Sequence, residues 1–584
     1  MLEQTVMSLL DRGEETQARA LLEDHLKKRP SDAVANKLMA MIYGAHGQDD
    51  KALFYIQRAA YAAPKDGFIR FMLGNVLMSL RKYKESAAAY RECCKLAPGD
   101  VGACDGLAKC LISLGQYDQA CQAFEAAVKA NPEDAIAYGN YANALVLIAK
   151  VKEAVDVARR GLARLPNDPA LLEFIAYSAN FPSGTDNIEL RRLHQRLGAE
   201  YLKQRGGPSS VFPNTRDPDR PLRVGFMSGD YSLHACSLFM KGPLLNFDRA
   251  RVIPYCFSTT RKEDGGEAPF KAGCEWRDIT DCSIDQTNAA IRADQIDILI
   301  ECSGLTQGHR LKALIPRAAP VQCTWLGYPN TTGVPTIDYR IVDALTDPPE
   351  NDEQVSEKLA RIPGCFLCFN HDAMTLPPVL TPATVTPYST APITFGSFNR
   401  MTKVTTETVA VWCRVLAAVP NSRMLLKLRI MSDELRRDTI ELFTSRGVDP
   451  SRIDMVPFAI HSDDHARMYA QMDIALDAFP YNGTTTTCEA TWMGVPVVVL
   501  EGDSHRSRVG VSLNTAMGLT DLIARDVDEY VRIASRLAAD RGALAALKLS
   551  LRERMAASPL CNARDYARRF ENVLRTMWQT YCHS

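Results

Sequence analysis

The run Asp477-Ala-Phe-Pro-Tyr-Asn-Gly-Thr-Thr-Thr-Thr-Cys-Glu489 carries the residue types of an anion cradle. An apolar strand over 472–476, a turn over 480–483 and a helix opening at Thr485 would present unpaired backbone N–H groups and the positive end of a helix dipole, which suits a diphosphate. Thr484, Thr485, Thr486 and Thr487 add hydroxyl donors. The same string would also serve as a plain threonine N-cap in an α/β unit. Its chemistry therefore depends on what stands opposite.

Three other loops place polar residues just past apolar strands. Val224-Gly-Phe-Met-Ser228 leads into Asp230 and His234, Ile298-Leu-Ile-Glu301 leads into Gly304 and Thr306, and Phe395-Gly-Ser-Phe-Asn399 leads into Lys403. A loop histidine is often a solvated or capping side chain, and a loop lysine often a surface one. Together they favour chemistry. Expelling a nucleoside diphosphate from a sugar needs positive potential at the β-phosphate, and Lys403 with the helix start at Thr484–Thr487 supplies it without a metal. Asp230, Asp297 and Glu301 are the titratable groups that the pattern lets face the cleft. The Asp-x-Asp strings at Asp217–Asp219 and Asp526–Asp528 fall in a linker and at a helix cap, so neither a metal nor another cofactor is expected.

The elements that must hold these loops follow from hydropathy. Strands are expected over 222–227, 252–257, 296–300 and 321–326, and a second series begins at 393, 422, 453, 474 and 497, with helical stretches between. Two such series, split near Pro377 to Pro392, predict two doubly wound Rossmann-like α/β domains facing each other across a cleft, with ligands at the carboxyl ends of the strands. The first third differs. Pro30, Pro64, Pro98, Pro132 and Pro166 recur 34 residues apart, the tetratricopeptide period. A partial leading repeat and four full ones predict an all-α solenoid with a groove for extended polypeptide. The expected organisation is a solenoid over 1–180, a helical bridge and linker over 181–220, an N-terminal catalytic domain over 221–385 and a C-terminal nucleotide-sugar-binding domain over 386–584.

Composition narrows the context. The 584 residues are 46% hydrophobic and 23% charged, with 68 basic against 69 acidic residues and a net charge of −1, which gives no electrostatic case for nucleic acid or an anionic membrane. No signal peptide or membrane-spanning run is expected. Seventeen cysteines, an odd number in apolar contexts, read as reduced thiols in a cytoplasmic protein. Cys365-Phe-Leu-Cys368 reads as a strand with packed thiols.

Pro320-Val-Gln-Cys-Thr-Trp-Leu-Gly-Tyr-Pro-Asn-Thr-Thr-Gly-Val-Pro-Thr-Ile-Asp-Tyr-Arg-Ile-Val-Asp343, the following Asp347-Pro-Pro, Phe395–Asn399 with Lys403, and Phe479–Glu489 resemble the SPINDLY branch of the O-GlcNAc transferase family. The resemblance implies an inverting, metal-independent protein O-glycosyltransferase of the GT-B fold that modifies Ser and Thr of intracellular proteins. By that similarity His234 matches the active-site histidine, Lys403 the lysine on the donor diphosphate, Thr485, Thr486 and Thr487 the phosphate-contacting threonines, Glu489 the acid on the ribose hydroxyls and His465 a histidine near the base. Asn399 and Thr484 fall in the same matched nucleotide-sugar motifs.

The resemblance divides on the donor. Plant SPINDLY-type enzymes use GDP-fucose and the animal enzyme UDP-GlcNAc, and the Asn-Gly-Thr-Thr-Thr-Thr-Cys-Glu string here sides with the first. One departure is Ser303-Gly-Leu305-Thr306, where SPINDLY sequences usually carry Thr-Gly-His-Thr. The implied mechanism is in-line attack of an acceptor hydroxyl on the anomeric carbon, driven by leaving-group stabilisation, with His234 as base or orienting partner. Protein or peptide acceptors along the solenoid groove are the expected partners. A homodimer through an exposed repeat face is compatible, although no residue fixes it. A repeat scaffold with an inactive transferase pair, or an enzyme glycosylating a small molecule or lipid, are the alternatives.

Overall fold

Each repeat proline is followed two residues later by an aspartate that opens a helix. Asp32, Asp66, Asp100, Asp134 and Asp168 each accept the backbone N–H three residues on, a capping bond worth about 1 kcal/mol. The computed structural model describes residues 2–207, 211–262, 264–371, 391–430, 432–459 and 462–584. The chain divides into two units, Met1–Leu171 and Leu172–Ser584.

The first unit is a run of helical hairpins: α1 (Leu2–Asp11) with α2 (Glu15–Lys28), α3 (Ala33–Ala45) with α4 (Asp49–Ala62), α5 (Gly67–Ser79) with α6 (Tyr83–Leu96), α7 (Val101–Ser113) with α8 (Tyr117–Ala130), and α9 (Ala135–Leu147) with α10 (Val151–Arg164). Small residues let the helices approach. A Cβ on Gly74 or Gly106 would come within 2.6 Å or 2.4 Å of the Tyr90 ring, which is fully buried between them.

α11 (Pro169–Ser178) crosses the boundary between the units, and α12 (Asn187–Arg205) belongs to the second. α12 presses on the loop 331–334 so closely that a Cβ on Gly198 would lie 2.0 Å from the Gly333 carbonyl oxygen. Next to that contact, fully buried His194 has Nδ1 2.7 Å from the Leu190 carbonyl and Nε2 2.7 Å from the Tyr328 hydroxyl.

The first sheet is parallel, in the order β3-β2-β1-β4-β5-β6-β7. Its strands are β1 (Leu222–Ser228), β2 (Val252–Ser258), β3 (Glu275–Asp278), β4 (Ile298–Glu301), β5 (Val321–Thr324), β6 (Tyr339–Val342) and β7 (Lys358–Arg361), with α13 (Ser237–Asn246), α14 (Ala268–Gly273) and α15 (Ile284–Ala293) among the connections. The second is also parallel, in the order β10-β9-β8-β11-β12-β13. It comprises β8 (Thr394–Ser397), β9 (Arg423–Leu428), β10 (Ile453–Pro457), β11 (Ile474–Leu476), β12 (Val497–Leu500) and β13 (Ile523–Ala524). Its helices are α16 (Thr406–Ala418), α17 (Asp433–Thr444), α18 (Ser462–Met468), α19 (Thr485–Trp492), α20 (Val509–Ala516), α21 (Val527–Ala539) and α22 (Arg541–Ala557), followed by α23 (Ala563–His583). The expected architecture, a solenoid ahead of two doubly wound sheets, is the one present.

Several details differ from the sequence expectations. The boundary placed between 385 and 386 lies outside the described residues. β3, β6, β7 and β13 were not expected; β3 and β7 are sheet-edge strands with no fully buried residue, so they lack the continuous apolar run of a central parallel strand. Cys365 and Cys368 are buried, but no strand runs through them. α23 lies within the span assigned to the C-terminal domain yet packs on the first one. Trp578 Nε1 donates to the Asp217 carbonyl at 2.9 Å, Arg251 Nη1 pairs with Glu571 at 3.0 Å, and α23 contacts α13.

Candidate functional site

In a doubly wound sheet the ligand crevice opens where the strand order reverses. In these sheets that is between β1 and β4 and between β8 and β11. The loops after those four strands carry His234, Glu301 with Thr306, Lys403, and the threonine run.

The threonine run is organised by a residue that the sequence did not single out. Fully buried Asp477, one residue past β11, accepts from the backbone N–H groups of Ala478 at 2.9 Å and Gly483 at 2.8 Å and from Asn399 Nδ2 at 2.9 Å, all through Oδ1. Asn399 Oδ1 in turn accepts from Thr486 Oγ1 at 3.1 Å. Glycine is required at 483, where a Cβ would stand 2.4 Å from Thr486 Oγ1 and 2.9 Å from Thr487 Oγ1. Thr484 occupies the N-cap of α19 without a side-chain capping bond, so the first-turn N–H groups stay available to an anion. Thr484, Thr485 and Thr486 are half-buried, whereas Thr487 is buried.

Lys403 reaches the same place from β8. Its Nζ donates to the Asn482 carbonyl at 2.7 Å and lies 3.8 Å from the Tyr481 ring centroid. Burial pushes the ammonium down to about 7, with Asp477 opposing the shift and Arg400 adding to it. Burial likewise pushes Asp477 up, to about 6, although Lys403 and the backbone donors pull it back. Tyr481 also stacks on Phe181, ring centroids 5.1 Å apart, so the segment after α11, assigned only to a bridge, forms part of the surroundings.

A turn along α19, Glu489 Oε2 meets His465 Nε2 and the Tyr469 hydroxyl at 3.0 Å each. The structure thus brings His465 and Glu489 together. Lys427 Nζ approaches His465 Nδ1 at 3.4 Å.

On the first sheet, half-buried His234 has Nδ1 3.3 Å from Asp230 Oδ1 and 3.3 Å from the backbone N–H of Cys236. Burial lowers its pKa; Asp230 opposes this, while Lys262 and Arg400 reinforce it. A neutral imidazole results, suited to accepting a proton. Exposed Arg400, also missed in the sequence, sends its charge to both His234 and Lys403.

Two expected cleft groups are placed elsewhere. Asp297 precedes β4, at its amino end, and pairs with Arg220 Nη2 at 2.6 Å and Asn214 Nδ2 at 2.7 Å. It anchors the linker and does not face the crevice. Glu301 is fully buried beneath its own turn, accepting from Ser303 N at 2.7 Å and Gly304 N at 2.8 Å, and burial raises its pKa to about 7. Thr306 is half-buried, its hydroxyl donating to the Ser303 carbonyl at 2.7 Å. Among the described residues, ligand atoms of Asp230, His234 and Cys236 lie within 4.8 Å of one another. Burial and Asp230 raise the pKa of the Cys236 thiol, and Lys262 and Arg400 place positive charge near His234.

The model of glycosyl transferase family 41 matches residues 187–389 and 379–570, and a tetratricopeptide model matches 106–169. The chain belongs to glycosyl transferase family 41. A relative from Solanum lycopersicum, named a probable UDP-N-acetylglucosamine–peptide N-acetylglucosaminyltransferase SPINDLY, is 41% identical over 68% of this chain and 43% of its own length. An Arabidopsis thaliana protein of the same name is 42% identical over 64% of this chain and 41% of its own. The chain thus spans less than half the length of these curated family members. A solved structure of a Thermobaculum terrenum O-GlcNAc transferase mutant superposes with a TM-score of 0.76 at 28% identity, covering 92% of this chain and 99% of that one. In this family 41 chain, the matched span contains all four crevice loops.

Proposed function

We propose that this protein is an inverting, metal-independent O-glycosyltransferase that moves a sugar from a nucleoside diphosphate to Ser or Thr hydroxyls of proteins. The observation that carries the reading is Lys403 Nζ fixed on the Asn482 carbonyl at the mouth of the threonine cradle, where it meets the charge that develops on a departing diphosphate. Thr484, Thr485, Thr486 and Thr487 with the start of α19 share that load. Asn399 holds Thr486, and Glu489 and His465 serve the nucleoside.

His234 acts on the acceptor side. With Cys236 N–H donating to Nδ1, the neutral ring carries its proton on Nε2 and orients the acceptor hydroxyl; moving that proton to Nδ1, where Asp230 accepts it, frees Nε2 to serve as base. The hydroxyl oxygen bonds to the anomeric carbon as the carbon–oxygen bond to the β-phosphate breaks. The hydroxyl proton leaves with the base and the electron pair with the diphosphate. The solenoid serves extended polypeptide acceptors. The seventeen cysteines are all free thiols, which supports a cytoplasmic setting.

GDP-fucose is the proposed donor, because the cradle reads Asn-Gly-Thr-Thr-Thr-Thr-Cys-Glu. The second reading is UDP-GlcNAc, favoured by the printed names of the relatives. Incubating the chain separately with each donor and a lysate or peptide acceptor decides between them. Transfer from neither donor, with retained partner binding, points to a repeat scaffold.

A further inference from the structure

Lys427 stands at the carboxyl end of β9, half-buried, in a position that the transfer chemistry does not use. Its Nζ lies 5.1 Å from the centroid of the Phe398 ring, 5.7 Å from that of Phe458 and 3.4 Å from His465 Nδ1. Among the described residues no carboxylate comes within ion-pair distance of it. Glu489 acts on it only from further away, and that carboxylate is already engaged by His465 and Tyr469.

An ammonium only donates, so His465 Nδ1 accepts from Lys427 and the ring proton sits on Nε2, directed at Glu489. One of three ammonium hydrogens is thereby used. The others have no acceptor among the described residues. Burial of this cation lowers its pKa to about 8, the expected cost of a desolvated charge without a counter-ion. Beside it, at the end of β10, the Phe458 side chain is 54% exposed, a large aromatic face left open next to unspent donors. A half-buried cation, an open aromatic ring and an imidazole locked in one tautomer converge on the nucleoside side of the crevice.

We propose that Lys427 reads the nucleobase of the donor by donating to the O6 and N7 acceptors of guanine, with Phe458 and His465 flanking the base. The inference rests on the nucleotide-sugar reading above. Guanine sets two acceptors side by side, adenine replaces one with an amino donor, and a pyrimidine such as uracil offers a single carbonyl there. An ammonium with two free hydrogens therefore favours guanine over both.

The test measures binding of GDP, IDP, ADP and UDP to the full chain by calorimetry, for wild type, Lys427→Met and Lys427→Arg, with thermal unfolding as a check on folding. The expected result is that wild type binds GDP and IDP alike and ADP and UDP more weakly. Lys427→Met weakens GDP and IDP by roughly 10- to 100-fold and changes UDP little, while Lys427→Arg restores GDP. An unchanged GDP to UDP ratio in Lys427→Met, or wild-type preference for UDP or ADP, overturns the assignment of Lys427 while leaving the transferase reading standing. Failure of wild type to bind any of the four diphosphates overturns both.

Discussion

Lys403 Nζ stands 3.8 Å from the Tyr481 ring centroid while donating to the Asn482 carbonyl at 2.7 Å. A lysine held between a π-face and one carbonyl, with no ion pair among the described residues, is positioned with donors left over for an incoming anion, which favours its charged form. Replacing Lys403 with Ala is expected to lower turnover by roughly 100- to 1,000-fold with the melting temperature unchanged or raised, since a desolvated charge is removed. Undiminished transfer in this variant would refute the role.

Proton uptake should accompany donor binding. Burial in the cradle lowers Lys403 to about 7, and a bound diphosphate raises that value again, because opposite charge favours the protonated form. At pH 8 binding should draw nearly one proton from solution, and at pH 6 almost none through this lysine. Calorimetry of GDP in HEPES and Tris, whose ionisation enthalpies differ, measures the uptake; it should vanish in Lys403→Met.

Gly483→Ala is expected to damage the cradle while leaving the sheet intact. The added methyl would approach Thr486 Oγ1 to 2.4 Å and Asn399 Oδ1 to 3.1 Å, pushing apart the bond that aims Thr486. Donor affinity should fall by roughly 10-fold or more, the equivalent of one strong hydrogen bond to a charged group. Steady-state KM and direct GDP binding both report it.

His194 ties stability to acidity. Burial lowers its pKa to about 4 from an ordinary 6.5, so between those values the unfolded chain binds more protons than the folded one. The sign follows: its neutral-state stability is complete above pH 6.5 and is lost as pH falls toward 4, a loss of about 3 kcal/mol. His194→Gln should show a shallower fall of melting temperature over that interval than wild type.

Most central strands were legible because both faces of a parallel sheet are covered and the sequence there is continuously apolar; β6, whose run is broken by Arg340, was not. Short edge strands such as Glu275–Asp278 leave no such trace. The crevice loops were legible for a related reason: an apolar strand that breaks into a polar loop places polar residues at the carboxyl end, as it did for His234 and Lys403. Asp297 was misplaced because it precedes its strand and so occupies the opposite end. Asp477, Tyr481, Arg400 and Lys427 were passed over because each acts through partners far away in the chain. Asp477 meets Asn399 across 78 positions of sequence, and no local pattern encodes that.

The return of α23 to the first sheet domain has a consequence for mechanics and for protein engineering. Described residues up to 371 belong to the first sheet domain, those from 391 to the second, and α23 to the first again, with Phe369 N donating to the Leu560 carbonyl at 2.8 Å just before the return. Two covalent connections between the same pair of bodies act as a double tether, leaving them less relative freedom than one connection would. Neither body can be excised with a single cut, because the first is completed by sequence from beyond the second.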